Sequence, residues 1–420
     1  MITESHKLEW SRQVGRHLFE FYLPFWHGPA MDLEHGGWMG WLDNDLRPDR
    51  TKPKGLIVHA RILWSFSAAF QARPDPTYKT MAERAYAYLM EKFWDPKHGG
   101  AYWRVNDEGK PLEREKKCYG QAFVIYALAE FHRAFGHSTA MEKALVLFDL
   151  LENHAHDQKH GGYLEVFSED WSDAPAGARL SERDMAEKKS MNNHLHMLEA
   201  LTNLYRIWPN PRVKFRLVGL FDLFLQRILN SQTWHLHHFF DEAWRVRSET
   251  YTFGHDIEAS WLLEEAAAAI GDEARRRMVR AAALGMAACA LNEGLGIDGA
   301  LCYEGRDGRI LDSGHECWPQ AEAMVGFLNA YELDGQEKYL AAAMRTWNYT
   351  QTHLADFQKG EWFWRINPDG KPDPHLPKVS EWKGPYHVTR ACLEIMKRIP
   401  TAPSNATANF PVGGKPAKKN

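Results

Sequence analysis

The chain has 420 residues and a net charge of −4, is 44% hydrophobic and 25% charged, and has no long run of one sign. That balance is ordinary for a globular protein and gives no nucleic-acid or membrane surface. No apolar run approaches the roughly 18 residues of a bilayer span, and the opening "MITESHKLEWSRQ" has no signal-peptide pattern. The five scattered cysteines, Cys118, Cys289, Cys302, Cys317 and Cys392, lack zinc-ligand spacing, so reduced thiols in a cytoplasmic protein are expected.

A first helix is predicted at about 5–26. Apolar residues then recur at helical spacing over 55–72 and 78–94, 118–136 and 138–156, 188–208 and 211–230, 254–271 and 272–292, and 316–333 and 336–355. A last helix is predicted at about 381–398. Breakers separate the members of several pairs: "RPDP" at 73–76, "GHS" at 136–138 and "PNP" at 209–211. The first helix of each pair starts near 54, 118, 188, 254, 316 and 381, so the interval stays between 62 and 70 residues. So steady a period marks a repeat architecture. Six such helices have five partners downstream, and the N-terminal helix supplies the sixth. The expected fold is all-α, an (α/α)6 barrel of twelve helices in two concentric layers, rather than an open solenoid whose last helix would lack a partner. Residues 1–400 read as one domain. Residues 401–420, rich in Pro, Gly, Ala, Asn and Lys, read as a disordered tail.

A turn recurs between pairs: "MDLEHGGWMG" from Met31, "WDPKHGGAYW" from Trp94, "HDQKHGGYLE" from His156, and an altered copy, "ADFQKGEWFW", from Ala355. It should link each outer helix to the next inner one as a short hairpin, its glycines taking positive φ.

Inner helices of such a barrel have two buried faces, one lining the central cavity, so polar residues on them draw attention. In "KKSMNNHLHMLEALTNLY", Asn192, His196 and Glu199 share a face, while His194 points elsewhere and reads as a structural histidine rather than part of a metal site. "FGHDIEASWLLEEAA" offers His255 and Glu258 one turn apart, where a carboxylate can set an imidazole's tautomer. "ECWPQAEAMVGFLNAY" offers Trp318 and Glu322, and "EWKGPYHVTRACLEI" offers Trp382 and His387 near its start. Arg61 sits in an apolar context that a buried guanidinium tolerates only with a partner or ligand, and "CYGQAFVIYAL" offers Tyr119. All lie in the first halves of their helices, hence at one mouth. Histidines titrating near neutrality suit proton abstraction beside a carbonyl. The 17 tryptophans and 21 histidines overall fit a protein that grips sugars and moves protons. No nucleophile motif, phosphate loop or nucleotide fingerprint competes.

At "MNNHLHMLEALTNLYR", "GHDIEASWLL", "WPQAEAMVGFLNAY" and "EWKGPYHVTRACLEI" the sequence resembles the N-acylglucosamine 2-epimerase superfamily, and within it most closely the cellobiose 2-epimerases, over about residues 5–399. The resemblance implies an (α/α)6 barrel and metal-free epimerisation at C2 of a reducing-end aldose. It implies that His255 and His387 are the acid/base pair and that His196, supported by Glu258, assists ring opening. It also implies that Arg61, Tyr119, Asp184, Asn192 and Glu322 belong to the substrate site, with Trp318 stacked at the reducing end and Trp382 on a second sugar. Cys317 stands where a second Trp is expected, and Val388 and Thr389 follow His387 where smaller or amide residues are commoner. The expectation is therefore an isomerase acting on a β-1,4-linked disaccharide, cellobiose first, with lactose or mannobiose as alternatives. It would use no cofactor or metal and no nucleic-acid or membrane partner, as a monomer or weak homodimer. The rivals are a mannose/glucose 2-epimerase or mannose isomerase, an inverting glycosidase, which needs two opposed carboxylates, and a non-catalytic sugar binder.

Overall fold

The computed structural model describes residues 2–401, so the tail predicted at 401–420 lies almost wholly outside the described residues. Six inner helices, α2 (Leu56–Ala72), α4 (Cys118–Phe135), α6 (Met191–Ile207), α8 (Phe253–Ile270), α10 (Cys317–Asp334) and α12 (Tyr386–Arg398), contact one another in sequence, and α12 closes onto α2. Six outer helices back them: α1 (Glu4–Arg16), α3 (Pro76–Tyr88), α5 (Ser138–Leu150), α7 (Pro211–Leu223), α9 (Glu273–Cys289) and α11 (Glu337–Tyr349). Each outer helix runs on into a π-helical turn, such as Leu89–Phe93 after α3. The sixth partner is the N-terminal helix, as the period requires: α1 packs on α12, and the Ser11 hydroxyl donates to the Ile399 carbonyl at 2.7 Å. The architecture is the two-layered (α/α)6 barrel.

The predicted breakers act as caps. Asp75 and Asn210 side chains accept from Thr77 and Arg212 N–H groups, each followed by a proline at the first helical position, and Gly136 ends α4 in the left-handed region. The last inner helix starts later than predicted. Residues 381–385 form a lead-in loop, and Trp382 lies there rather than on the first turn of the helix.

The repeated turn is a hairpin closed by bridges such as Trp94 with Ala101, and its glycines take φ near +70°. Its aspartate does more than turn the chain. Asp32, Asp95, Asp157 and Asp356 each accept N–H groups within the turn. Each also receives a buried lysine: Lys54 at 2.6 Å, Lys116 at 2.8 Å, Lys189 at 2.7 Å and Lys378 at 2.7 Å. Lys54, Lys116 and Lys189 sit in two-residue strands just before an inner helix, and each strand pairs antiparallel with residues beyond the next turn, as Lys54 does with Val105. Four of the six repeats carry such a pair. Buried ion pairs add little net stability, because desolvation offsets the attraction.

The second glycine has a separate cause. A Cβ at Gly37 would come within 2.9 Å of His59 Nε2, and at Gly162 within 2.6 Å of His194 Nε2. These inner-helix side chains accept the next backbone N–H: His59 from Trp38 at 3.2 Å, Gln121 from Ala101 at 2.8 Å and His194 from Tyr163 at 2.9 Å. His194 also bonds the Ser190 carbonyl through Nδ1 at 2.7 Å, so both ring nitrogens serve the fold. Replacing His194 with Ala leaves the Tyr163 N–H buried and unpaired. A stability loss of about 1–3 kcal/mol is expected in chemical denaturation, with turnover per folded molecule retained. A fully stable but inactive variant would move His194 into the site.

Candidate active site

The first turns of the inner helices and the loops above them enclose a cavity of about 630 Å³, within the ordinary range for a small-molecule site. Ten of the eleven residues singled out from sequence line it: Arg61, Tyr119, Asp184, Asn192, His196, His255, Glu258, Trp318, Trp382 and His387. Glu322 does not; it is fully buried beneath His387. Of the three residues that depart from the family pattern, Cys317 and Val388 also line the cavity, and Thr389 is buried away from it.

The three cavity histidines share one arrangement. Each is held through Nδ1: His387 by Glu322 at 2.6 Å, His196 by Glu199 at 2.9 Å and His255 by the Thr252 hydroxyl at 2.5 Å. The Nε2 of each is left for the cavity. This corrects one pairing expected from spacing, His255 with Glu258, and one that the resemblance implied, His196 with Glu258. Glu258 bonds neither His255 nor His196. His196 takes Glu199, three residues on along α6, and His255 takes the hydroxyl that precedes its own helix. The Trp318 ring lies between the two other histidines, its centroid 4.8 Å from that of His255 and 5.5 Å from that of His387.

Below the histidines lies a group that sequence reasoning missed. Arg390, on α12 one turn beyond His387, reaches Glu258 at 2.5 Å and Glu322 at 2.7 Å through Nη2. Its Nη1 contacts Glu199 and the Tyr386 hydroxyl, which itself bonds Glu199. Trp261 donates to Glu322 at 3.0 Å. The signal was present: a lone Arg in the apolar stretch "VTRACLEI" carries the same warning as Arg61.

Three buried carboxylates around one guanidinium cannot all ionise freely. Burial pushes Glu258 up to about 8, and Glu322 beside it adds to this against the pull of Arg390. Glu322 is likewise raised by burial, with Arg390 pulling the other way. Burial would raise Glu199 too, but Arg390 and His196 overrule it and bring it to about 2. Of the three, Glu199 is therefore held toward the ionised form, and Glu258 and Glu322 toward the protonated form. His387 and His255 are both lowered well below the usual imidazole range, first by burial, then by Arg61 and Arg390 for His387 and by neighbouring histidines for His255.

Several polar atoms at the wall have no partner among the described residues: Arg61 Nε, Asn192 Oδ1 and Glu258 Oε2. Arg61 is otherwise fixed, bonding the Tyr119 hydroxyl at 3.0 Å and the Trp382 carbonyl at 3.3 Å, its guanidinium over Phe123. Buried groups left unpaired around a cavity call for a ligand rich in hydroxyls. Trp382 meets Trp103 and Tyr119 at ring-centroid distances of 5.6 and 6.0 Å, an aromatic wall at the cavity edge.

Fold and site together define an (α/α)6 barrel with a histidine-lined, aromatic-walled cavity suited to proton transfer on a polyhydroxylated ligand. The chain belongs to the N-acylglucosamine 2-epimerase (GlcNAc 2-epimerase) family, whose model matches residues 37–391. A cellobiose 2-epimerase of Bacteroides fragilis is 40% identical over 390 residues, covering 92% of this chain and 98% of the relative. The solved cellobiose 2-epimerase of Bacillus thermoamylovorans superposes with a TM-score of 0.88 at 37% identity, covering 93% of this chain and 99% of that one. A D-mannose isomerase of Marinomonas mediterranea is more distant, 25% identical over 90% of this chain and 94% of its own. Among the described residues no helix is long and apolar enough to cross a membrane.

Proposed function

We propose that this protein is a sugar 2-epimerase acting on the reducing-end aldose of a β-1,4-linked disaccharide, converting cellobiose to glucosyl-mannose, with lactose or mannobiose as further substrates. The observation that carries the reading is the set of three cavity histidines held by Nδ1, two of them flanking Trp318. Identity is also higher to the cellobiose 2-epimerases, at 34–40%, than to the D-mannose isomerase, at 25%.

In this mechanism the pyranose opens with His196 moving the ring proton, its basicity set by Glu199. One of His387 and His255, neutral, takes the C2 proton. The electron pair of the broken C–H bond forms the C1=C2 bond, and the C1 carbonyl oxygen becomes the enediolate oxygen. Arg61 and Tyr119 donors stabilise that charge as it develops. Rotation about C2–C3 presents the other face, and the second histidine, protonated, returns a proton to C2. The two histidines exchange roles in the reverse direction, so the chain's own residues complete the cycle without a cofactor. Residues 1–400 act as one domain, a monomer or weak homodimer of the cytoplasm. Incubation with cellobiose, mannose and glucose separately, with products identified by NMR, tests the assignment. Activity on mannose alone would replace it with the monosaccharide reading.

Two expected results follow. Because one C2 histidine must start neutral and the other protonated, and burial lowers both, kcat/KM should be bell-shaped with its maximum below pH 6.5 and should fall toward alkaline pH. A profile that keeps rising to pH 8 would show that the second histidine does not start protonated. Trp382→Ala should raise KM for cellobiose strongly and affect free mannose or glucose less, because a wall residue supplies binding shared by ground and transition states. Equal losses on both sugar sizes would place Trp382 at the reacting ring.

A further inference from the structure

A further copy of the turn, not picked out from the sequence, is "NSQTWHLHHF" from Asn230, closed by the Leu229–Leu236 bridge, and it departs from the pattern in a coordinated way. Where Gly37, Gly100 and Gly162 lie against a large inner-helix side chain, this copy has His235, and the facing inner-helix residue is the smaller Asp256. The bulk has moved from helix to turn. Asp256 Oδ1 still accepts the Leu236 N–H at 2.9 Å, so the repeat keeps its hydrogen bond, and Oδ2 is left to hold His235 Nδ1 at 2.8 Å. Trp234 adopts a φ of 62°, a left-handed conformation that the other copies give to glycine. The lysine of the preceding strand becomes Tyr251, whose ring lies parallel to the imidazole with centroids 3.5 Å apart. None of this needs the imidazole's Nε2.

That Nε2 faces the end of α9. Cys289 Sγ, a Glu293 carboxylate oxygen and a His235 nitrogen all lie within 4.8 Å of one another, and Nε2 is 3.3 Å from Glu293. A thiol, an imidazole and a carboxylate make up a donor set suited to zinc. A buried carboxylate on the far nitrogen is what orients a metal-bound imidazole. Glu293 is partly exposed, which gives an ion a way in.

We propose that His235, Cys289 and Glu293 bind a thiophilic divalent cation, Zn²⁺ by preference, with Asp256 orienting the histidine. The ion ties the end of α9 to the first turn of α8, where Asp256 adjoins His255 without facing the sugar. Its role is to brace the barrel wall behind the cavity.

Metal-free protein, kept reduced, is titrated with Co²⁺ and then Zn²⁺. One equivalent of Co²⁺ should produce a thiolate-to-cobalt charge-transfer band, and Zn²⁺ should displace it and raise Tm. Cys118, Cys302 and Cys392 are buried and Cys317 lines the sugar cavity, so the Cys289→Ser variant assigns the band. Cys289→Ser should abolish the band and leave sugar turnover unchanged, and Asp256→Asn should weaken Zn²⁺ binding roughly 10–100-fold. Chelation should lower Tm of the wild type while turnover per folded molecule persists. No saturable binding of either ion by the wild type, or a band undiminished in Cys289→Ser, would overturn the proposal whatever sugar the protein acts on.

Discussion

Replacing His387 with Ala is expected to lower turnover on cellobiose by about 10²–10⁴-fold, the usual worth of a general acid or base. The loss should be chemical rather than structural. With the imidazole gone, Glu322 keeps Arg390 at 2.7 Å and Trp261 at 3.0 Å, so no carboxylate is abandoned in the core. His255→Ala should cost a similar factor, because its Nδ1 partner, Thr252, is an uncharged hydroxyl, so no charge is left unpaired. The two variants can be told apart in D₂O. If each histidine serves one face of C2, each variant should still exchange the C2 proton of one epimer while failing to invert it. NMR of the C2 position in both sugars reads this directly. Two variants that keep turnover within tenfold of wild type would remove these histidines from the proton-transfer step.

Arg390→Met should have the largest effect on stability of any single change in the site. The side chain is buried and is the common partner of Glu199, Glu258 and Glu322. Breaking a buried ion pair by deleting one member typically costs about 3–5 kcal/mol. The sign with pH follows from what remains. Three carboxyl groups without a counter-charge are tolerable when protonated, so the deficit should shrink as pH falls and grow above neutrality. Urea unfolding at several pH values measures it. A deficit independent of pH would mean that the guanidinium acts mainly by packing against Trp261 and Tyr386. Arg390→Lys keeps the charge but offers no planar fork for three carboxylates. It should fold better than the Met variant and still turn over slowly, since the proton balance of the His387–Glu322 pair depends on where the charge sits.

The sequence carried the barrel through a long-range regularity. Apolar stripes at helical spacing located the helices, and the 62–70-residue interval together with the odd helix at the start implied a closed ring. The cavity wall was legible because each contributing residue breaks an apolar pattern near a helix start. What could not be read was pairing across helices. Glu199 shares a face with His196, yet nothing local says that it, and not Glu258, bonds the ring. Arg390 collects carboxylates from α6, α8 and α10. The lysine partners of the turn aspartates lie 21–32 residues downstream of them, three in strands too short to leave a period and Lys378 in a bend. Trp382 was placed on a helix because "SEWKG" precedes a clear helical run, but the helix begins only after Pro385.

The contact between α1 and α12 makes the order of the helices along the chain a historical accident rather than a structural necessity. Ser11 reaches Ile399, so the two described ends of the chain meet on the same wall of the barrel. Joining them with a short linker and opening the ring elsewhere, for instance at the exposed Leu33 in the first hairpin, would give the same twelve helices in a rotated order. Cavity-lining groups drawn from all six inner helices would then reassemble from a gene that begins in a different repeat.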